Sequence, residues 1–224
     1  MWTACDQLPS SSIAVIVNDR IVHRSVAGWL DRRSRTPLQD DSIFRIFSMS
    51  KCVTSVAVMI LVERGVLALD DDIGRFVPEL ADMGVWVAEG RAPEPAARGI
   101  TVRDLLTHRA GLTYGFFGDH AVDKLYRSRL NLDNCWDYPL SRLAEMIGTL
   151  PLLYHPGRRW CYSFATDMAG LLVQRANRKG LGFREFLLEE VLRPLKMVDT
   201  DFYVPEAKIT RLATLRERTF GRTL

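Results

Sequence analysis

The sequence is poor in the residues and patterns that mark disulfide or metal chemistry. Its 224 residues include only four cysteines and four histidines. No cysteines form a CxxC pair, and no histidines stand at the spacing of metal ligands. We therefore expect reduced thiols in a cytoplasmic protein. Cys52 lies inside an apolar run, so it is expected to be a packed core thiol.

An excess of charge of one sign is also lacking. The chain has 30 basic and 27 acidic residues, a formal net charge of +3. This balance gives no reason to expect a nucleic-acid partner. The first residues lack the basic start and apolar run of a secretory leader. The longest apolar stretch, residues 53–62, is too short to span a bilayer, so no membrane span is predicted.

Several common catalytic patterns are missing as well. No serine lies in a G-x-S-x-G elbow, and no glycine-rich phosphate loop is present. No Ser-His-Asp triad is evident among the four histidines, which are His23, His108, His120 and His155. His108 follows a short predicted helix, so we expect it to cap the carboxyl end of that helix.

The patterns that are present predict many helices and one convincing hairpin. A two-stranded hairpin is predicted, with strands over residues 13–17 and 20–28 joined by a turn at Asn18-Asp19. Residues 48–64 predict a helix that is apolar around most of its circumference and therefore buried nearly all round. Thr101 resembles the first residue of a capping box. Further helices are predicted over 141–148, 166–179 and 183–192, with an irregular aromatic segment over 114–138.

The start of the apolar helix carries a Ser48-Met49-Ser50-Lys51 tetrapeptide. A serine hydroxyl is a poor nucleophile until a base removes its proton. A lysine three residues later lies on the same face of a helix, and burial would favour its neutral amine. The helix start also aims free backbone N–H groups at a developing oxyanion. Taken alone, the tetrapeptide is more typical of an ordinary helix cap with Lys51 solvated, and the apolar helix that follows is what favours the catalytic interpretation.

Tyr162 is the second candidate for chemistry. It precedes a predicted helix in the segment Trp160-Cys161-Tyr162-Ser163. A tyrosine beside a lysine can relay a proton. The alternative is a core aromatic residue whose hydroxyl is hydrogen-bonded.

These residues together resemble the β-lactamase-related serine hydrolases, and within them the class C-like carboxylesterases and transesterases. The resemblance runs in order from about residue 13 to about residue 212, and an ordered set is far more specific than one motif. It is carried by FRIFSMSK (44–51), LVERG (61–65), LDDD (69–72), VPEL (77–80), ITVRDLLTHRAGL (100–112), HPG (155–157), Trp160, Tyr162-Ser163, Asp167, PLKM (194–197) and DTDFYV (199–204).

The resemblance implies a fold and a set of roles. The fold would be the α+β (α/β) fold of serine β-lactamases and penicillin-binding proteins, with a helical lobe and an incomplete antiparallel sheet. Ser48 would be the acylated nucleophile, Lys51 the general base and Tyr162 the partner that shuttles the proton. The substrate would be a small ester or amide, and no metal or organic cofactor is implied.

Two departures from the family pattern stand out. In β-lactamases and penicillin-binding proteins an asparagine lies two positions after the tyrosine or serine of the second motif, and here that position is Phe164. This favours the esterase-like branch. The family's third motif, on an edge strand that supplies an oxyanion N–H, has no match between Val204 and Leu224. We therefore expect residues 1–224 to form a single catalytic domain without its C-terminal strands.

Within that domain, residues 10–48 are expected to form the hairpin and the lead-in to the helix, and residues 66–204 a mainly helical lobe. Three functions remain open: an esterase-like serine hydrolase, a β-lactamase or D-Ala-D-Ala peptidase, and an inactive truncated paralogue that serves as a binding or scaffold protein. The aromatic segment from Tyr114 to Trp136, with Phe116 and Phe117, lines an acyl pocket or simply packs the helical lobe. The oligomeric state is open.

Overall fold

The computed structural model describes residues 8–130 and 138–215, which belong to two compact units. Among the described residues, the first unit comprises residues 8–48 and 199–215, and the second comprises residues 49–130 and 138–198. The strands are β1 (Ser10–Val17), β2 (Arg20–Asp31), β3 (Thr36–Pro37), β4 (Gly84–Val85) and β5 (Glu94–Pro95). The α-helices are α1 (Ser50–Glu63), α2 (Val102–Leu106), α3 (Ala121–Leu130), α4 (Leu140–Gly148), α5 (Ala165–Ala176) and α6 (Phe183–Leu187). The mixture of helix and antiparallel sheet agrees with the predicted fold class.

The first unit is built on the predicted hairpin, which is confirmed. Strands β1 and β2 pair antiparallel, and β3 adds a short third strand beside β2. Asn18 and Asp19 both have positive φ, 48° and 60°, as a tight two-residue hairpin turn requires. The apolar side chains of the hairpin are largely exposed to solvent: Ile13, Val15, Ile16, Val17, Ile21 and Val22.

Residues 199–215 complete the first unit by backbone and side-chain bonds. The Ala213 N–H donates to the carbonyl oxygen of Ile43 at 2.8 Å. The Arg211 guanidinium donates to the Asp199 carboxylate at 2.5 Å and to the Asp41 carbonyl oxygen at 2.5 Å. These bonds tie the segment to the chain that leads from the hairpin towards Ser48.

Helix α1 of the second unit begins two residues later than predicted, and a 3-10 helix (Phe47–Met49) runs directly into it. The prediction that this helix is buried nearly all round is wrong. Its buried side is formed by Thr54, Ala57, Val58 and Leu61, while Cys52, Val56 and Met59 are exposed. The prediction of Cys52 as a core thiol is therefore also wrong. Apolar composition does not reveal which side of a helix finds a packing partner.

The core of the second unit is organised around α5, which packs against α1, α2 and α4. Eight of its side chains or backbone positions are buried: Ala165, Met168, Ala169, Gly170, Leu171, Leu172, Val173 and Ala176. The predicted capping box is confirmed, since the Thr101 hydroxyl accepts from the Asp104 N–H and Asp104 accepts from the Thr101 N–H. Arg98 donates two bonds to the buried Asp104 carboxylate and thereby holds the start of α2.

The segment predicted to be irregular over residues 114–138 contains helix α3, so that prediction is wrong for residues 121–130. The helix carries several charged side chains, which obscure its apolar period. Val122, Tyr126 and Leu130 lie at helical spacing and are all fully buried. Trp136 lies outside the described residues.

Beyond α6 a π-helical turn (Leu188–Leu192) brings Glu190 between two cations. Arg64 Nη2 lies 2.5 Å from one carboxylate oxygen, and Lys179 Nζ lies 2.7 Å from the other. These bonds lower the pKa of Glu190 to about 2. Because this pKa lies below the ordinary 4.5, the stabilisation is complete above about pH 4.5 and is lost as the pH falls towards 2.

We expect Glu190→Gln to lower the free energy of unfolding at neutral pH by about 1 kcal/mol, since both cations are half exposed and screened by water. Urea unfolding across the acid range should show this deficit narrowing towards pH 2. Glu189→Gln is the matched control, because its carboxylate has only a longer 3.4 Å contact with Lys179. A deficit that stays constant with pH would contradict the assignment.

Candidate active site

Ser48 lies in the 3-10 helix that leads into α1, and Lys51 occupies the first turn of α1. Ser48 is the last residue of the first unit, and the side-chain contacts described below are all within the second unit. The helix start leaves backbone N–H groups without partners inside the helix. The tetrapeptide is thus placed as the sequence predicts, at the amino end of a helix.

The residue before Ser48 has an unusual backbone conformation. Phe47 has a φ of +44°, in the left-handed region that non-glycine residues rarely adopt. Such a conformation costs about 1–3 kcal/mol and persists only where the surrounding structure holds it. Backbone strain of this kind is common beside functional residues.

Lys51 and Tyr162, two of the predicted site residues, lie close together. The Lys51 ammonium nitrogen is 4.8 Å from the centre of the Tyr162 ring. It is also 5.6 Å from the centre of the Tyr114 ring. Both distances are within the range of cation–π attraction. Lys51 is half-buried in the first turn of α1, with its side-chain nitrogen near both aromatic rings.

Asp167 on α5 supplies negative charge near this lysine. Its Oδ2 accepts a hydrogen bond from the Tyr114 hydroxyl at 3.3 Å. Burial raises the pKa of Asp167 above its ordinary value, while the Lys51 charge and the Tyr114 bond act in the opposite direction. The lysine, Tyr114 and Asp167 therefore form one electrostatically linked group.

His108 is a site residue that the sequence reasoning missed. It was expected only to cap a helix, and its backbone does follow α2, with a φ of +54°. Its ring, however, lies 4.7 Å from the Tyr162 ring, centre to centre. Burial lowers the pKa of His108, and the nearby Lys51 charge lowers it further. Both effects favour the neutral form of the imidazole.

Further aromatic rings lie beside Tyr162. Trp160 stacks at 6.3 Å and Phe117 meets its ring at 5.7 Å. Phe164 is buried and packs edge-on against Tyr114 at 4.5 Å. The position that departs from the asparagine of β-lactamases is thus filled by a core phenyl ring, which offers no amide to a substrate.

The signal for the missed residues was partly present in the sequence. His108 and Asp167 both lie in segments that carry the family resemblance, and Tyr114 begins the aromatic segment. Their side chains are brought together only because α1, α2 and α5 pack against one another. Among residues 8–130 and 138–215, no group of three or more His, Cys, Asp or Glu side chains is arranged to hold a metal ion. In the same ranges no helix is long and apolar enough to cross a membrane.

A Ser-x-x-Lys tetrapeptide at the amino end of a helix, a tyrosine ring beside that lysine and a mixed helix-and-sheet fold agree with the resemblance to the β-lactamase-related serine hydrolases. Residues 3–224 match the family model described as Beta-lactamase. The chain belongs to the β-lactamase family.

Known relatives include enzymes of ester chemistry. Protein Rv1367c of Mycobacterium tuberculosis is 38% identical over 217 residues, which cover 94% of this chain and 52% of that protein. Lovastatin esterase of Penicillium rubens is 35% identical over 173 residues, which cover 75% of this chain and 42% of that protein. The chain spans about half the length of the curated relatives it matches.

A solved structure of the same family has a similar fold. Simvastatin synthase (LovD) of Aspergillus terreus superposes with a TM-score of 0.77 at 28% identity. The superposition covers 99% of this chain and 56% of that enzyme. The predicted fold class is confirmed by this similarity.

Proposed function

We propose that the chain carries the acylation machinery of an esterase-like serine hydrolase. Ser48 is the nucleophile, Lys51 the general base and Tyr162 the proton shuttle. One observation carries the proposal: the side-chain nitrogen of Lys51 lies 4.8 Å from the centre of the Tyr162 ring. Lys51 itself follows Ser48 by three residues, at the start of α1. A serine, a base and a second proton carrier are the parts that acyl transfer needs.

The reaction would proceed in two halves. The first half requires Lys51 as the unprotonated amine, which takes the proton of the Ser48 hydroxyl as the serine oxygen attacks the ester carbonyl carbon, and the carbonyl electrons move onto oxygen. The tetrahedral intermediate collapses, the bond to the alcohol oxygen breaks, and the lysine proton reaches that oxygen through Tyr162. Water then attacks the acyl-enzyme in the same way, releasing the acid and restoring Ser48.

Several features favour esters over β-lactams and peptides. Phe164 is a buried core residue where β-lactamases carry an asparagine, so no amide is available there. The relatives include a protein named Lovastatin esterase and another named Monacolin J acid methylbutanoyltransferase. The first name describes an esterase and the second an acyl transferase. We extend this chemistry to the present chain as a proposal, with a small ester as substrate and a short-chain nitrophenyl ester as the assay.

The cytoplasmic location stays a prediction that rests on cysteine usage. Cys52 and Cys161 are free thiols, which suits a reducing compartment. Cys5 and Cys135 lie outside the described residues.

A fluorophosphonate probe tests the proposed function directly. The 224-residue chain should gain one adduct, located by peptide mass spectrometry on Ser48, and a heat-denatured sample should gain none. A folded chain that is never labelled would support the alternative of an inactive binding protein. Faster hydrolysis of a chromogenic cephalosporin than of a nitrophenyl butyrate would support the β-lactamase alternative.

Removal of one hydroxyl tests the role of Tyr162. We expect Tyr162→Phe to lower kcat/KM for nitrophenyl butyrate by about 10²-fold or more, because it removes a proton carrier but keeps the ring against Lys51. Tyr114→Phe removes the hydroxyl that donates to Asp167 and should cost about tenfold. Tyr154→Phe, whose ring lies against Arg159, is the matched control. If Tyr114→Phe costs more than Tyr162→Phe, the shuttle is Tyr114.

A further inference from the structure

The loop of residues 113–120, here called the aromatic loop, is tied at both ends to one buried carboxylate. The Thr113 hydroxyl donates to Asp123 Oδ1 at 2.6 Å. The His120 N–H donates to Asp123 Oδ2 at 3.2 Å. Asp123 lies in the first turn of α3 and is only 4% exposed. A buried carboxylate that accepts from both ends of a loop fixes the width of that loop.

The middle of the aromatic loop is held by a second side chain of the same helix. Arg127, one turn after Asp123, donates to the carbonyl oxygen of Gly115 and, at 2.9 Å, to that of Gly118. Its guanidinium also contacts the Asp119 carboxylate at 3.2 Å. Positions four apart lie on one face of a helix, so Asp123 and Arg127 hold the loop from one side.

The two glycines of the loop permit this close approach. Gly115 has a φ of +86°, and a Cβ there would lie 2.9 Å from the Asp123 carbonyl oxygen. A Cβ on Gly118 would lie 2.4 Å from Asp123 Oδ2. Any larger residue would push the loop away from α3. The two glycines therefore allow the loop backbone to pack directly against α3.

The aromatic loop exposes two phenyl rings to solvent beside Tyr162, the proposed proton shuttle. Phe116 and Phe117 are 48% and 67% exposed. Their ring centres are 4.4 Å apart, Phe116 stacks on Tyr114 at 5.1 Å, and Phe117 lies 5.7 Å from Tyr162. Two exposed aromatic rings on a braced loop next to polar catalytic groups are typical of the apolar wall of a ligand site.

We propose that Phe116 and Phe117 form the binding wall for the aliphatic chain of the ester, and that Asp123 and Arg127 are the positioning residues that hold this wall in place. This inference rests on the proposed function, since it places the chain of the ester beside Tyr162. Bracing the loop before binding lowers the ordering cost that a flexible loop would incur. The wall should therefore make the protein prefer esters with longer apolar chains.

The test measures binding separately from catalysis. In the Ser48→Ala variant, ligand-observed NMR gives the affinity for two series of esters. Methyl esters from acetate to octanoate lengthen the acyl side, and butyrates from methyl to octyl lengthen the alcohol side. In one series we expect the affinity to rise about two- to fourfold per added methylene. The lower factor corresponds to partial burial of the methylene against the wall and the upper factor to full burial. The series that shows the rise identifies the side that contacts the wall.

When Phe117→Ala is added to Ser48→Ala, the increase in the logarithm of the affinity per added methylene should fall to less than half. Leu195→Ala is the matched control, a large-to-small change at an exposed apolar residue. Leu195 follows the π-helical turn, whose Glu190 contacts Arg64 at the opposite end of α1 from Lys51. This variant should keep the full rise. An equal rise with and without Phe117, or no rise in either series, would overturn the proposal.

Arg127→Lys tests the positioning role, because an ammonium group cannot reach both carbonyl oxygens and Asp119 at once. We expect it to reduce the rise per methylene, whereas a purely structural role would lower the melting temperature and leave the rise intact. Failure of the fluorophosphonate to label Ser48 would refute the proposed function but leave these affinities measurable. The two proposals can thus fail independently.

Discussion

Ser48→Ala is expected to lower kcat/KM for nitrophenyl butyrate by at least about 10³-fold, because it removes the atom that forms the acyl-enzyme. Ser50→Ala provides an internal control two residues away. Ser50 is the first residue of α1, and its carbonyl oxygen, which accepts from the Thr54 hydroxyl at 3.1 Å, is unaffected by the substitution. This variant should change the rate by about twofold or less.

The pair of serine variants separates a catalytic role from a capping role. Either serine could begin a helix, and an alanine at a cap costs about 1 kcal/mol of stability without abolishing a reaction. Steady-state rates and urea unfolding of both variants should be measured together. If both serines lose activity in proportion to stability, Ser48 is a structural residue. If Ser50→Ala is the inactive variant, the nucleophile is Ser50.

Lys51→Arg is expected to lower kcat/KM by about 10²–10⁴-fold, although the positive charge is kept. A guanidinium group stays protonated in proteins, so arginine retains the attraction to the Tyr162 and Tyr114 rings but cannot accept the serine proton. Lys51→Met removes both the charge and the base and should be at least as inactive.

The comparison of the two lysine variants distinguishes general-base catalysis from electrostatic support. Lys179→Arg, at an exposed lysine that pairs with Glu190, is the control and should retain full activity. Rates at several pH values provide the decisive measurement. A Lys51→Arg variant that keeps more than about one tenth of the activity would show that charge alone suffices, and the base would have to be sought elsewhere. His108, against the Tyr162 ring, would be the first candidate.

Short sequence patterns correctly predicted the features whose conformation is set by residues close together in the chain. The hairpin turn at Asn18 and Asp19 needs only residues that tolerate positive φ, and the capping box needs only Thr101 and Asp104. Helix α3 was missed because its charged side chains masked the buried stripe of Val122, Tyr126 and Leu130. The exposed side of α1 was missed because the burial of a helix depends on the elements that pack against it. These elements cannot be inferred from the residues of the helix alone.

The sequence by itself determined the Ser48-x-x-Lys51 spacing, the presence of a helix after Ser48 and the candidacy of Tyr162, since each is a feature of nearby residues. Only the tertiary structure decided that Tyr162 lies against Lys51, that Tyr114 and Asp167 join them, and that the His108 ring reaches the same place. These residues are separated by tens of positions in the chain. Their proximity depends on how α1, α2 and α5 pack, and the packing is set by the whole core of the second unit.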